Sequence, residues 1–470
     1  MNRIGTLTTT VTRDRLAALC RRGTEQAAGL GHPVLVSLTI PYHGESGPLE
    51  LFGRAGGPSV HRSLWLRPEQ DFWLVGHGRA VELTAATECP VTTVKQRHRE
   101  LLAEAVIEAP DAAGTGPVFF GGFRYDPQMP PDPVWRGFPD ARFTLPQLLF
   151  ARSDGSAWLT VNALVSPTDD VASLVESVLQ DLKRLEAGPS ENHAQPPLLE
   201  VREDSRHEWR RRVATALGAI KDGTISKVVL SRRRELHASG AFSPEAGLAY
   251  LAETYPSCAV FAADDGGAVF LGASPEGMAS VADGRLTVTC LASSAPRGST
   301  PDEDAKYRHY LLASRKERRE HAAVTGMLAE ALRDVCRELR WPNEPRIMQL
   351  KNIQHLYTPF TGLLRPGVNL LDIVRRLHPT PAVGGVPTEP ALELIREIEG
   401  DRGWYAAPVG WFDRAGNGDF IVAIRSALLR DDTAFLYAGC GIITGSQAER
   451  EYRETELKFQ PLLAALAPER

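Results

Sequence analysis

Six cysteines in 470 residues stand far apart, at positions 20, 89, 258, 290, 336 and 440, and no two form a Cys-x-x-Cys pair. That spacing argues against a thiolate zinc site and a disulfide framework. No apolar run approaches the roughly 20 residues that a membrane span needs. The opening Met-Asn-Arg-Ile-Gly-Thr-Leu has no apolar leader core. A chain with no membrane partner, in the reducing cytoplasm, is expected. Charge of one sign is also lacking: 53 Lys+Arg against 58 Asp+Glu leave a net charge of −5. No basic cluster interleaved with aromatics exists, so nucleic acid is not an expected partner. The lone Gly76-His-Gly78 lacks the rest of a dinucleotide fingerprint, and no internal repeat is present. The 43% hydrophobic and 24% charged content is that of an ordinary globular protein.

The chemistry is concentrated in residues 378–458. This stretch opens with His378-Pro-Thr-Pro-Ala-Val-Gly-Gly385, a stiff turn. Residues 419–427 and 434–438 are rich in β-branched and apolar types and predict two strands, the first following a Gly416-Asn-Gly418 hairpin turn. Arg425 falls inside the first. A guanidinium half-buried in an apolar strand needs an anionic partner, from the protein or from a ligand. Gly439 and Gly441 predict a glycine turn before a helix, whose bare N–H groups could cradle an anion. In that helix Glu451, Glu454 and Lys458 fall at i, i+3 and i+7 on one face, the spacing of a solvated ion-pair ladder as well as of a site.

Upstream, several residues carry both an ordinary and a functional reading. Lys227 opens the apolar run Lys227-Val-Val-Leu-Ser-Arg232, where a lysine can simply protect an edge strand. Glu276 follows a proline in Gly272-Ala-Ser-Pro-Glu-Gly277, a carboxylate on a stiff turn. Glu320 lies in a helical stretch predicted over residues 301–340, four residues after Lys316, so a surface salt bridge would explain it. His355 is a lone histidine in a strand, usually structural. Residues 117–126 predict a strand kinked by Gly121-Gly122, and residues 188–197 have the composition of a linker.

Taken in order, these motifs resemble the chorismate-utilising enzymes: isochorismate synthase, salicylate synthase, and the large subunits of anthranilate and aminodeoxychorismate synthase. The resemblance covers roughly residues 205–466, and the His-Pro-Thr-Pro-Ala wording is that of the isochorismate synthase branch. It implies an α/β (α+β) class: one large fold of intertwined antiparallel β-sheets covered by helices. Residues 1–187 would form its N-terminal part, 188–200 a linker and 201–470 the catalytic part. It implies conversion of chorismate and water to isochorismate, with Lys227 as general base and Glu276 as general acid. Mg²⁺ would be held by Glu320 and Glu454 with Glu451 nearby, and would receive the ring carboxylate. Arg425, the backbone at Gly439 and Gly441, and Lys458 would receive the enolpyruvyl carboxylate. Ala382, Ser293, Ser294 and His355 would complete the substrate site. A monomer needing no amidotransferase subunit is expected. The pathway, whether menaquinone, siderophore or another salicylate- or dihydroxybenzoate-derived product, stays open. Two departures stand out: Ser293 where the family usually has glycine, and Cys440. They leave open a relative with altered substrate or lost activity, and a salicylate synthase that also eliminates pyruvate is the other alternative. The ammonia-using branch has glutamine where this chain has Lys227.

Overall fold

The computed structural model describes residues 10–54, 61–86, 89–187, 194–349 and 353–468. Among them the chain forms two sheets, of 13 and 10 strands, with 11 α-helices. The larger sheet runs from the edge strand Leu198–Glu203 through Lys227–Ala238, Thr433–Ile443, Ser426–Arg430 and Val269–Ser274 to Ala259–Asp264. It continues through Arg62–Arg67, Phe72–His77, Leu148–Ser153 and Ser156–Val165 to Val34–Pro41 and Val106–Glu108. Early and late segments of the chain join where Ala259–Asp264 pairs with Arg62–Arg67. In the smaller sheet they join where Pro408–Asp413 pairs with Val118–Phe123. The long pairings are antiparallel, while Val34–Pro41 runs parallel to Val106–Glu108.

Side-chain alternation explains the layering. In neighbouring strands Trp65 and Leu74 point into the core between the sheets, whereas Leu64, Leu66, Trp73 and Val75 point to the opposite face. There they pack with Leu16 and Leu19 of Thr10–Leu30, Val175 to Leu182 of Val171–Ala187, and Phe459 and Leu462 of Ala448–Leu466. Full burial of each such side chain contributes about 1.5–3 kcal/mol. Among the described residues no helix is long and apolar enough to cross a membrane.

Four expectations need correction. Residues 419–427 are not one strand. Gly418–Val422 belongs to the smaller sheet and Ser426–Arg430 to the larger. Apolar composition alone cannot show where a chain changes sheets. Residues 301–340 are not one helix: Pro301–Ala313 and Arg315–Arg333 meet at Ser314, and Cys336–Arg340 is a strand. The Ser314 N–H closes the first helix on Tyr310 O, and its hydroxyl accepts the Glu317 N–H that opens the second. Gly121-Gly122 makes no kink. The ladder passes straight through, and a Cβ on Gly121 would lie 1.8 Å from the Arg142 carbonyl oxygen, so glycine lets two backbones close up. Of the expected linker, residues 188–193 lie outside the described residues, while residues 198–200 belong to the edge strand Leu198–Glu203.

Candidate active site

Two chain segments pass from one sheet to the other side by side, and each puts a functional side chain at its corner. Val269–Ser274 in the larger sheet is followed by Gly277–Ala282 in the smaller one, with Pro275-Glu276 at the crossing. The second crossing is Ala423 to Arg425. Hydrogen bonds tie the two together: Val422 N to Glu276 O (3.0 Å), Ala273 N to Arg425 O (3.1 Å) and Ser274 Oγ to Val422 O (2.6 Å). Arg425 takes a left-handed conformation (φ 51°) to make its corner, a strained backbone of the kind found at functional sites. Gly272 permits the crossing, because a Cβ there would lie 2.6 Å from Arg425 O.

The corners open onto a cavity of about 350 Å³ lined by all thirteen candidate residues. Lys227, Val229 and Ser231 share one face of the strand Lys227–Ala238. This is not an edge at Lys227, which pairs with Ile443 on one side and Val386 on the other. The edge-protection reading of that lysine therefore loses its premise.

Gly439 and Gly441 correct the expected turn: both lie within the strand Thr433–Ile443, opposite Ser231 and Val229. Val229 N donates to Gly384 O and Ser231 N to Glu399 Oε1, both away from this neighbour. In an antiparallel ladder their partners Gly441 and Gly439 then also turn their peptide groups outward. Backbone donors thus reach the cavity from a strand. A Cβ on Gly441 would meet Lys227 Cε at 3.2 Å, so this glycine also makes room for the lysine.

Ser293 and Ser294 lie on Arg285–Pro296 at a bulge between Ala292 and Ser294. Ser294 Oγ is 2.8 Å from His355 Nδ1 on the facing strand Ile353–Leu364. Burial first, then Arg425 and Lys458, bring His355 down to about 4, so it is neutral at pH 7. Ser293 is left-handed (φ 62°) and donates to Glu317 O at 3.0 Å. The left-handed backbone costs a non-glycine residue about 1–2 kcal/mol, and the hydrogen bond returns about 0.5–1.5 kcal/mol. Ser293→Gly is therefore expected to be close to neutral. Its Michaelis constant for the substrate that the resemblance implies should change less than about tenfold, roughly 1.4 kcal/mol. Steady-state kinetics checks this. An inert wild type revived by Ser293→Gly would show that the serine crowds the site.

Three carboxylates line the same cavity. Glu320 projects from Arg315–Arg333, and Glu451 and Glu454 from Ala448–Leu466. Glu320 faces Lys227 Nζ at 3.9 Å and not Lys316, as a surface ladder would have it. Glu454 pairs with Lys458 Nζ at 2.7 Å, and the same ammonium donates to Gly439 O at 2.7 Å. Burial, with Glu454 adding to it, raises Glu451, while Ser446 opposes the shift. The like charges of Glu451 and Glu454, close enough to feel each other, suit a cation. Among the described residues no three His, Cys, Asp or Glu side chains converge to hold a metal by themselves. The donor set fits Mg²⁺, which takes one or two carboxylates and fills its shell from water and substrate oxygens.

Burial drives Lys227 and Glu276 in opposite directions. It lowers Lys227 against the opposing pull of Glu320 and Glu276. It raises Glu276 to about 7 against Lys227, Lys458 and Arg425. Arg425 is lowered by burial, and among the described residues no salt bridge engages its guanidinium. Lining residues that escaped the sequence reading include Ser231, Glu317, Arg402 and Tyr405. Glu317, one turn before Glu320, could have been found from helical spacing.

The family model for chorismate binding enzymes matches residues 22–467. Isochorismate synthase MenF of Bacillus subtilis (strain 168) is 33% identical over 458 residues, covering 95% of this chain and 96% of its own length. The salicylate biosynthesis isochorismate synthase of Pseudomonas aeruginosa is 35% identical over 451 residues, with 95% and 93% covered. The solved structure of MenF, the menaquinone-specific isochorismate synthase from Escherichia coli, superposes with a TM-score of 0.80 over 92% of this chain and 95% of that one; at 22% identity it shows the shared fold. With a family match spanning nearly the whole length and relatives this similar end to end, the chain belongs to the chorismate binding enzyme family.

Proposed function

We propose that this enzyme converts chorismate to isochorismate by adding water at one ring carbon and expelling the hydroxyl two carbons further on. The observation that carries the reading is the opposed pair at one cavity: a lysine pushed down and a glutamate pushed up to about 7 by burial. A base must be neutral and an acid protonated to act. Lys227 takes a proton from water as its oxygen bonds to the ring. The two ring double bonds each shift by one carbon, and Glu276 gives its proton to the departing hydroxyl, which leaves as water. Lys227 ends with an extra proton and Glu276 without one, and a proton returned through solvent resets them.

The substrate's two carboxylates need cationic partners. Arg425, with no carboxylate of the described residues within salt-bridge reach, suits the enolpyruvyl carboxylate, with the N–H groups of Gly439 and Gly441 and the ammonium of Lys458 beside it. Glu320 and Glu454 would hold Mg²⁺, with Glu451 nearby, and the ion when bound supplies positive charge for the ring carboxylate. Ala382, Ser293, Ser294 and His355 line the remaining wall.

Incubation with chorismate and Mg²⁺, followed by chromatography, tests the reading. Isochorismate without pyruvate is expected; pyruvate release would mark a salicylate synthase, and no product would sink the proposal. For the metal, Glu320→Gln and Glu454→Gln should each weaken Mg²⁺ binding by at least about tenfold, since even outer-shell changes cost that much. Calorimetric titration with Mg²⁺ reads this directly. Unchanged affinity, or full turnover in excess EDTA, would remove these residues from the metal site.

A further inference from the structure

The strand that carries Lys227 lacks a complete neighbour on one side. Gly385–Val386 covers Lys227 and Val228, and Leu198–Glu203 covers residues 234–238. Between them, buried peptide groups still need partners. Two side chains from outside the sheet supply them. Glu399 accepts from Ser231 N at 2.6 Å through Oε1 and from Ser231 Oγ at 2.6 Å through Oε2. Arg402 donates to Val229 O at 2.7 Å and, through its other terminal nitrogen, to Val383 O at 2.9 Å. The two residues also grip each other, Arg402 Nε and Nη2 reaching Glu399 at 2.9 and 3.0 Å. Both side chains are 2% exposed. Tyr125, from the early part of the chain, lies with its ring 4.5 Å from the guanidinium carbon and donates to the same Val383 O at 3.0 Å.

We propose that the Glu399–Arg402 ion pair is a positioning device that fixes the strand bearing Lys227 against the turn bearing Ala382. The pair is anchored two and four residues along from Lys227 and one residue from Ala382, so it sets the distance between the base and the ring wall. The attraction between the two charges is a poor explanation for it, because well-packed apolar residues often replace a buried ion pair at little or no cost. An apolar pair cannot, however, bond both the Val229 carbonyl and the Ser231 amide. These roles rest on the chorismate reading above, and the tests separate the two.

The double variant Glu399→Leu/Arg402→Met leaves no unpaired buried charge and should stay folded, but it strips the Ser231 amide and the Val229 carbonyl of their partners, so it should unfold at a lower temperature than wild type. Its kcat on chorismate should fall by about 10²-fold, the usual consequence of a misplacement near 1 Å. KM should move less than about threefold, because ground-state binding is not what is lost. Ser231→Ala, which keeps the amide contact, should lose less. The second measurement is independent of turnover: hydrogen exchange at the Ser231 amide, which should speed up by at least about tenfold once its acceptor is gone. An unfolding temperature that drops while kcat per folded molecule holds would make the pair merely structural and overturn the proposal. So would unchanged Ser231 exchange. A wild type inert on chorismate defeats the reaction reading alone, and amide exchange still decides the positioning.

Discussion

Lys227→Gln is expected to lose isochorismate formation by about 10²–10⁴-fold, the range for removing a general base. The residue sits at the inner end of a strand, held by neighbours on both sides, and its side chain passes over Gly441 into the cavity. Burial lowers it first, with Lys458 assisting and Glu320, Glu276 and Glu454 opposing. Glutamine matches its reach closely enough to keep the packing, but has no basic nitrogen. Added ammonium should then yield a small aminated product, because glutamine stands here in the ammonia-using relatives. Turnover by Lys227→Gln within a few-fold of wild type would mean that water is activated elsewhere. Loss of the fold is separated from loss of the base by thermal unfolding, which should change little for a half-buried residue whose nearest carboxylate stands 3.9 Å away.

The sequence made the site legible and the architecture only in part, for physical reasons. Motif residues such as Glu276 and Arg425 are recognisable as candidates because the proposed reaction and substrate would fix their chemistry. Their setting depends on which sheet each strand enters, and that is decided by partners hundreds of residues away. Arg425 read as a residue within an apolar strand, but it is the hinge where the chain leaves one sheet for the other. Gly439 and Gly441 read as a turn because glycine pairs usually make one. Here Gly441 gives space to Lys227, and Gly439 would bring a Cβ within 2.9 Å of Leu230 O. Ser314 hid within a pattern of helical Ala and Leu spacing, although its side chain opens the helix that carries Glu320. Arg402 and Glu399 carried no legible signal, since their partners are backbone groups of another segment.

Glu276→Gln should slow departure of the hydroxyl severely and, in the same protein, change how stability depends on pH. The native carboxyl is raised to about 7 from an ordinary 4.5. Its proton is thus held more tightly in the folded chain than in the unfolded one. The stability this confers is fully present below pH 4.5 and is lost as pH rises through 7. At about 1.36 kcal/mol per pH unit, wild type forfeits on the order of 3 kcal/mol from this group by pH 8. Glutamine does not titrate, so Glu276→Gln should match wild type near pH 4.5 and unfold at higher temperature at pH 8. Active-site groups held in disfavoured states commonly give up stability in this way. Turnover should fall by about 10²–10⁴-fold for the lost acid, while calorimetry still detects chorismate, since the amide can donate to the same hydroxyl. Substrate should reinforce the effect. Arg425 and Lys458 both pull Glu276 down, and a carboxylate bound to them offsets that pull, so the proton is held more firmly in the complex than in the free enzyme. The alkaline limb of kcat should therefore lie above that of kcat/KM. Parallel melting curves for the two proteins from pH 4.5 to 8, or a rate that survives the substitution, would take the acid role away from Glu276.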